Sequence, residues 1–449
     1  SKIRKYRWEN NGLSSSPSEL QNIVRGLDFE FIEPALGGDV IRSPEVLPTG
    51  RNLYQFDPNK VPTETAVERG REIAENTLKY HLKGKGRYPE STGIILWGFE
   101  TTKTQGETIG QILDYLGVKI ARKYGDWSPQ IEVIPLEELG RPRIDCLIQI
   151  CGFFREMFPN LMRLMDKAFN IVADLDEPAE MNFVRKHSLE NWEELNNQGL
   201  SPQVARKVAN ARIFGPPPSE YGTRMLPLVE DSVWEKEEDL AQAYIGSMCY
   251  LHAENIHAKE ADKIYRKNLA NVDLVSQVRD SHDYEVTDLD HYYEFFGGMA
   301  KSVEMVKGEK PEMVVSDTTK EVIETEFVAD AINRGVRTRL LNPKWIDGML
   351  KHDFHGAQHI ADRVENLLGL AATTNVVENW VWSGVAQRYV FDEEMWRRLM
   401  ENNHWAAKEI AERLLETERR GYWQATEEEI GKLKQAYLEI EEWIEGRCG

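Results

Sequence analysis

The stretch Ile94-Ile-Leu-Trp-Gly-Phe-Glu-Thr-Thr-Lys-Thr-Gln-Gly-Glu107 decides the fold class. Residues 94–97 form a short apolar run led by β-branched side chains, which predicts a strand buried on both faces. The run breaks at Gly98, and a polar loop is expected to follow. From Thr108 the apolar residues take helical spacing, and Gly117 is expected to end that helix as its C-cap. A strand, a loop and a helix in this order indicate an open α/β sheet.

Three other apolar runs predict strands, at 131–135, 143–150 and 313–316, and the chain beyond 319 has mostly helical patterning. We therefore predict an open, mostly parallel α/β sheet with flanking helices, followed by a largely helical C-terminal region. The expected domains are an extended N-terminal segment with one short helix at 19–27 (1–62), an α/β domain with the first three strands (63–230), a helical insertion and cleft wall with a further strand (231–318), and the helical C-terminal region (319–449).

The composition excludes several classes of partner. The 449 residues include 55 Lys and Arg against 75 Asp and Glu, which gives a net charge of −20. This charge repels nucleic acid and anionic membranes. No apolar run approaches the roughly 18 residues that a membrane span needs, and no signal peptide is recognisable. We therefore predict a cytoplasmic protein, and the four cysteines, which lack C-x-x-C spacing, are expected to be free thiols.

Polar side chains follow three of the predicted strands at the point where each strand ends. Glu100 and Glu107 follow the first, Arg155 follows the strand at 143–150, and Asp317 follows the strand at 313–316. In open α/β sheets ligands bind outside the carboxyl ends of the strands, so these groups are expected to converge on one rim. The alternative is that each merely caps the helix after it. Converging carboxylates can accept protons or hold a hard divalent ion.

Three histidines, His352, His355 and His359, have spacings of three and four residues. On a continuous helix they would share one face, and imidazole is a common ligand of divalent metals. Against a metal site, Gly356 interrupts the run and no carboxylate is interleaved as in H-E-x-x-H, so a hydrated helix face is the alternative. The glycines at 98 and 106 form neither a P-loop nor a dinucleotide motif, and no nucleophilic triad can be assembled.

Longer motifs occur in a fixed order along the chain. They include Val46-Leu-Pro-Thr-Gly-Arg-Asn-Leu-Tyr54, Leu96-Trp-Gly-Phe-Glu-Thr101, Gly152-Phe-Phe-Arg-Glu-Met-Phe-Pro159, Tyr292-Tyr-Glu-Phe-Phe-Gly-Gly-Met-Ala300 and Leu341-Asn-Pro-Lys-Trp-Ile-Asp-Gly-Met349. Together they resemble the large subunits of ATP-dependent tetrapyrrole metal chelatases, which are the cobaltochelatase large subunit and the magnesium chelatase H subunit. The resemblance covers nearly the whole chain from residue 30.

The resemblance implies a ligase that forms nitrogen–metal bonds. It would insert a divalent metal, Co²⁺ favoured and Mg²⁺ next, into a tetrapyrrole such as hydrogenobyrinic acid a,c-diamide. Pro216-Pro-Pro-Ser-Glu-Tyr-Gly222 is similar to the cobalt type, whereas Asn182-Phe-Val-Arg-Lys-His187 is similar to the magnesium type. The resemblance also implies that ATP is used by partner subunits, an AAA+ ATPase and its companion with an integrin-like domain, because this chain has no Walker motif.

The same resemblance, together with loop position, suggests roles for nine residues. The catalytic candidates, as proton acceptors or metal relays, are Glu100, Glu107 and His291; the substrate-binding candidates are Arg51 and Arg155 as carboxylate clamps, Trp97 and Tyr292 against the ring, and Asp317; the metal candidate is His352. Of the three clustered histidines only His352 falls where the family usually has one.

One departure from the family pattern concerns length. The chain resembles only the C-terminal third or so of these large subunits, and the family's His-Gly-Thr-Leu-Glu-Trp-Leu-Pro-Gly-Lys motif has no counterpart here. We therefore expect a fragment or one half of a split subunit. The alternatives are a tetrapyrrole-binding carrier and a scaffold for the ATPase subunits, neither with chelatase activity of its own.

Overall fold

The computed structural model describes residues 2–37, 46–54, 57–121, 130–197 and 199–448, which contain twelve strands and nineteen α-helices. The strands are β1 (Pro34–Leu36), β2 (Asn52–Tyr54), β3 (Ser91–Leu96), β4 (Val118–Ala121), β5 (Gln130–Val133), β6 (Asp145–Ile150), β7 (Ile213–Gly215), β8 (Tyr250–Ala253), β9 (Ile256–Glu260), β10 (Val272–Arg279), β11 (Glu312–Asp317) and β12 (Glu324–Phe327).

The α-helices are α1 (Lys2–Leu27), α2 (Glu64–Lys85), α3 (Gly98–Thr104), α4 (Glu107–Leu116), α5 (Leu136–Leu139), α6 (Gly152–Met157), α7 (Pro159–Ala173), α8 (Phe183–Asn197), α9 (Pro202–Asn210), α10 (Leu226–Glu230), α11 (Glu237–Met248), α12 (Asp262–Asn271), α13 (Gly298–Lys307), α14 (Val328–Gly335), α15 (Pro343–Met349), α16 (Asp353–Thr374), α17 (Asn379–Ala386), α18 (Glu393–Arg419) and α19 (Glu427–Cys448). None of the described helices combines the length and hydropathy that crossing a bilayer requires.

The main sheet has eight strands in the order β12-β11-β10-β3-β6-β7-β8-β9. Its five central members, from β11 to β7, run parallel, and the antiparallel strands β12, β8 and β9 lie at its edges. Every residue of β3, β6 and β10 is buried, because helices cover both faces. After β12 all elements are helical. This architecture confirms the predicted fold class.

Three of the four predicted strands belong to this sheet. The runs at 94–97, 143–150 and 313–316 correspond to β3, β6 and β11, and β3 pairs in parallel register with β6. The run at 131–135 corresponds to β5, but β5 pairs antiparallel with β4 in a separate two-stranded sheet. The run at 131–135 therefore forms a strand as predicted, but the expectation that this strand joins the main sheet is wrong.

The central strand β10 was not predicted, because polar residues interrupt its apolar pattern. These residues are buried, and groups outside the strand pair with several of them: Asp273 pairs with Arg87 and Lys307, and the Ser276 hydroxyl accepts a hydrogen bond from the Gln111 amide. The helical insertion expected within 231–318 also contains β8 and β9, which form an antiparallel hairpin at the sheet edge. Tertiary partners outweigh local pattern at these positions.

The segment after β3 differs from the predicted polar loop. Residues Gly98–Thr104 form the short helix α3, and Gln105 and Gly106 link it to α4 with φ angles of 59° and 96°. Glycine is required at 106, because a Cβ there would lie 2.8 Å from the Val61 side chain. Helix α4 and its C-cap Gly117 are confirmed, with the Gly117 N–H donating to the carbonyls of Leu113 and Asp114.

The N-terminal segment contains more helix than the expected short element at 19–27, because α1 spans Lys2–Leu27 and includes Pro17. The rest of the expected extended segment consists of short strands and turns, and residues 38–45 and 55–56 lie outside the described residues. The histidine cluster also differs. His352 precedes α16, whereas His355 and His359 lie within it, so the three do not share one continuous helix. All three side chains are exposed.

Candidate functional site

A cavity of about 680 Å³ lies at the carboxyl ends of the central strands. Its walls come from residues 97–103 after β3, 151–153 after β6, and 277–280 at the end of β10, with residues from 221–226 and 284–295 completing it. Pockets of roughly 300–1,000 Å³ are typical of small-molecule sites, and the carboxyl edge of a parallel sheet is where α/β proteins place them. The cavity therefore lies where the sequence predicted a ligand site.

Aromatic rings form much of the cavity wall. The Trp97 ring stacks on His291 with centroids 4.9 Å apart, and its other neighbour, Phe295, packs edge-on at 4.5 Å. Phe99 and Phe153 stack at 4.4 Å, and Phe99 is 74% exposed although Gly98 and Glu100, beside it in the chain, are buried. Such a wall presents flat apolar faces, which complement a flat apolar ligand.

Glu100 on α3 is the buried carboxyl group of this cavity. One carboxyl oxygen, Oε1, accepts hydrogen bonds from the hydroxyls of Thr104 and Thr108 at 2.9 and 3.1 Å. Burial raises the pKa of Glu100 to about 8, and the negative charge of Asp280 adds to the shift although the threonine hydrogen bonds oppose it. Glu100 therefore carries a proton at neutral pH and is poised to exchange it near pH 8.

A histidine and a glutamate lie at the other side of the cavity, at the start of a π-helical turn over Tyr292–Gly297. The His291 Nδ1 atom lies 3.0 Å from Asp290 Oδ1 and 3.6 Å from Glu294 Oε2. Burial opposes the imidazolium charge, but these two carboxylates outweigh it and raise the pKa of His291. Glu294 is in turn fixed by the N–H and hydroxyl of Thr223, at 2.6 and 3.0 Å from its Oε1. Single π-helical turns of this kind are frequent at functional sites.

Four of the nine residues selected from the sequence line this cavity, namely Trp97, Glu100, His291 and Tyr292. They lie on the segments that follow β3 and β10, two strands that are neighbours in the sheet, although nearly two hundred residues separate the two pairs in the chain. Their roles stay predictions, but the structure brings them together around one space.

The other five residues lie outside the lining of this cavity. Glu107 begins α4 and accepts a 2.7 Å hydrogen bond from Arg69. Asp317 at the end of β11 accepts from Arg279 at 2.8 Å. Arg51 is half-buried and is not part of the cavity lining. For His352, no group of three or more His, Cys, Asp or Glu side chains arranged to hold a metal occurs within the described ranges.

Arg155 occupies a different place from that of the expected carboxylate clamp. Its guanidinium donates to the backbone carbonyls of Pro216, Pro217 and Pro218 at 2.9, 3.0 and 3.2 Å. These bonds fix the loop that leads to Tyr221, which lines the cavity. The side chain therefore supports the cavity wall from behind, and the convergence of Glu100, Arg155 and Asp317 on one shared space does not occur.

Several residues of the cavity were not selected from the sequence. Asp280 follows β10 and forms a 3.0 Å ion pair with Lys103, and Phe153, Tyr221 and Leu289 complete the wall. Recognising β10 as a strand would have found Asp280, because the residues at the carboxyl ends of the other strands were already candidates. Tyr221 and Leu289 carry no such signal, because they reach the cavity from long connections.

The raised pKa of Glu100 has a measurable consequence for stability. Between about pH 4.5 and pH 8 the folded chain keeps a proton that the unfolded chain has lost, so rising pH destabilises the fold in this window. Glu100→Gln removes this ionisation. We expect E100Q to be more stable than the wild type by roughly 3–5 kcal/mol above pH 8, and equally stable below pH 4.5. Urea unfolding across this pH range measures it, and a difference that does not change with pH would contradict the assignment.

Comparison with known proteins adds a family match over most of the chain. The family model described as CobN/Magnesium Chelatase matches residues 4–430. The magnesium-chelatase subunit ChlH, chloroplastic, of Oryza sativa subsp. japonica is 35% identical over 96% of this chain and 31% of its own length. The aerobic cobaltochelatase subunit CobN of Sinorhizobium sp is 34% identical over 91% of this chain and 32% of its own length.

A solved structure has the same fold. The catalytic subunit of cobaltochelatase from Mycobacterium tuberculosis matches 96% of this chain with a TM-score of 0.88 and 34% sequence identity, and the match covers 36% of that structure. The chain therefore spans about a third of the length of the relatives that it matches. Cobalt-type and magnesium-type relatives are similar to nearly the same degree, so identity alone does not separate the two metals.

Proposed function

The chain belongs to the CobN/magnesium chelatase family, and we propose that it takes part in inserting a divalent metal ion into a tetrapyrrole, with Co²⁺ favoured and Mg²⁺ next. The substrate would be a macrocycle such as hydrogenobyrinic acid a,c-diamide. The observation that supports this proposal is the cavity at the carboxyl edge of the sheet, where aromatic walls surround a buried carboxyl group with a pKa of about 8. A flat ring can pack against such walls, and a carboxyl group with this pKa can exchange protons with a ligand near neutral pH.

Metal insertion requires the pyrrole N–H protons of the macrocycle to leave. A general base works best when its pKa lies near the operating pH, which is the range of Glu100. In this proposal the Glu100 carboxylate takes a pyrrole proton, and Trp97 and Tyr292 hold the ring by contact with its faces. His291, between Asp290 and Glu294, passes protons between the cavity and solvent.

ATP enters this proposal through partners. We propose that an AAA+ ATPase subunit and its companion with an integrin-like domain hydrolyse ATP and act on this chain. The net charge of −20 offers such partners an acidic surface for electrostatic docking. Because the chain spans about a third of its relatives' length, a tetrapyrrole carrier that binds without inserting metal is the second candidate.

Blocking the cavity tests whether it binds the ring. Leu289 lines the cavity and is half-buried, so Leu289→Trp adds bulk there with little strain on the core. We expect this variant to bind protoporphyrin at least about tenfold more weakly than the wild type, a loss of roughly 1.4 kcal/mol. Titration of the porphyrin absorbance band with the purified chain measures the affinity.

The matched control for this experiment is Leu438→Trp on α19, whose side chain is 63% exposed and remote from the cavity lining. It should bind protoporphyrin as the wild type does. Equal binding by L289W and the wild type would show that the ring does not use this cavity. Adding the ATPase subunits, ATP and either Co²⁺ or Mg²⁺ then separates a chelatase from a carrier, because only a chelatase shifts the absorbance bands to those of the metallated ring.

A further inference from the structure

The cations of this cavity are already paired with anions. Of the lining residues, all of which the structure describes, the basic ones are Lys103 and His291. The Lys103 ammonium lies 3.0 Å from the Asp280 carboxylate, and the His291 imidazole lies between Asp290 and Glu294. A carboxylate of an incoming ligand would therefore have to compete with a protein carboxylate for each cation.

Two arginines next to the cavity walls are paired as well. The Arg155 guanidinium is satisfied by backbone carbonyls of the loop at 216–220. Arg279 at the end of β10 is 6% exposed, and it pairs with Asp317 at 2.8 Å and with Glu285 at 2.9 Å. A charged group that enters without an unpaired counter-ion loses its hydration and gains no compensating ion pair.

The apolar wall favours the opposite kind of surface. The rings of Trp97, Phe99, Phe153 and Phe295 line the cavity, and apolar ligand surface that packs against them is removed from water, which is favourable. Burial of an uncharged, flat hydrocarbon surface is favourable here and leaves no charge without a counter-ion. The paired cations disfavour binding of carboxylates, and the aromatic wall favours binding of the unsubstituted ring. Both effects therefore favour the same part of a tetrapyrrole.

We propose that this cavity receives the uncharged, apolar part of the tetrapyrrole and that the carboxylate substituents of the macrocycle remain outside it. The proposal rests on the proposed function, since it assumes that the ligand is a tetrapyrrole. The proposal predicts that the cavity binds rings with fewer charged substituents more tightly. Amidated or otherwise neutral rings should therefore bind more tightly than the free acids. The Arg155 guanidinium, a carboxylate clamp in the sequence-based expectation, is occupied by backbone carbonyls instead.

The test compares coproporphyrin with its uncharged amide, which has the same ring and the same number of substituents. Both are titrated into the full chain and followed by the porphyrin absorbance band. We expect the amide to bind at least about tenfold more tightly than the free acid at low ionic strength. The difference should persist when salt is added, because it arises from desolvation of carboxylates inside the cavity, whereas salt strongly screens only exposed charges. Equal or tighter binding of the free acid would overturn the inference.

A variant that supplies a cation provides the second measurement. Leu289→Arg places a guanidinium at the cavity wall, and Leu438→Arg places one on the exposed face of α19 as a matched control. L289R should gain about tenfold in affinity for the free acid and little for the amide, whereas L438R should match the wild type. A gain of the same size in both variants would overturn the inference. Failure of both porphyrins to bind the wild-type chain would instead refute the proposed function.

Discussion

Replacement of Glu100 by glutamine is expected to slow metal insertion by roughly 10²–10⁴-fold, the range over which general acid–base groups contribute. The amide keeps the size of the side chain and can still accept the hydrogen bonds of Thr104 and Thr108. It cannot take a proton from the macrocycle. The insertion rate is measured with the partner ATPase subunits, ATP, the tetrapyrrole and Co²⁺ or Mg²⁺, by following the absorbance of the metallated product.

The pH profile distinguishes loss of a base from loss of structure. Only the carboxylate form of Glu100 can accept a proton, so the wild-type rate should rise with pH up to about 8 and then level off. The residual rate of E100Q should not show this rise. Glu138→Gln on the exposed helix α5 is the control, because its side chain is 60% exposed and pairs with Lys119 far from the cavity lining. A wild-type rate and profile in E100Q would exclude Glu100 as the base.

The location of the site could be predicted from the sequence because it depends on strand order along the chain and on a general property of parallel sheets. Apolar runs with β-branched residues identified β3, β6 and β11, and the carboxyl-end rule directed attention to Trp97 and Glu100. The family motif around Tyr292 supplied the aromatic residues that pack against Trp97. Each of these signals lies within a short stretch of sequence, so it can be recognised without knowing which distant segments are in contact.

The partners of charged side chains could not be predicted in the same way. Arg155, Asp317 and Glu107 all follow strands as expected, but each is bound to a group distant in sequence. The strand β10 was hidden for a related reason, because its buried polar residues Asp273 and Ser276 are paired with groups outside the strand. A polar residue next to a strand therefore indicates an edge of the sheet, but it does not reveal whether the side chain faces a ligand or another part of the chain.

The helical C-terminal region contributes to the site through such contacts. The Asp288 carboxylate accepts from Arg363 Nε at 2.8 Å and lies 3.0 Å from Arg339 Nη1, and both arginines come from the C-terminal helices. Asp288 precedes Leu289 and His291, which line the cavity. The C-terminal helices thus hold one wall of the cavity in place. They influence the geometry of the site although none of their described residues lines the cavity.

A large destabilisation is expected from a change in a buried ion cluster at the start of β6, at the opposite end of the strand from the cavity. Both carboxyl oxygens of Asp145 lie 2.9 Å from Arg212 Nε, and Oδ2 lies 2.8 Å from His187 Nδ1. The three side chains are at most 2% exposed. Burial opposes ionisation of Asp145, but the positive charges of Arg212 and His187 outweigh it and lower the pKa of Asp145.

Asp145→Asn should therefore reduce the free energy of unfolding by about 3–5 kcal/mol near pH 7, because it leaves the Arg212 guanidinium buried without a counter-charge. The wild-type contribution disappears as pH falls through the depressed pKa of Asp145, so the two proteins should converge in acid. Asp176→Asn is the matched control, since its fully exposed carboxylate pairs with Arg185 and should change stability by less than about 1 kcal/mol. Urea unfolding of all three proteins measures these differences, and similar losses in D145N and D176N would show that burial does not set the strength of the cluster.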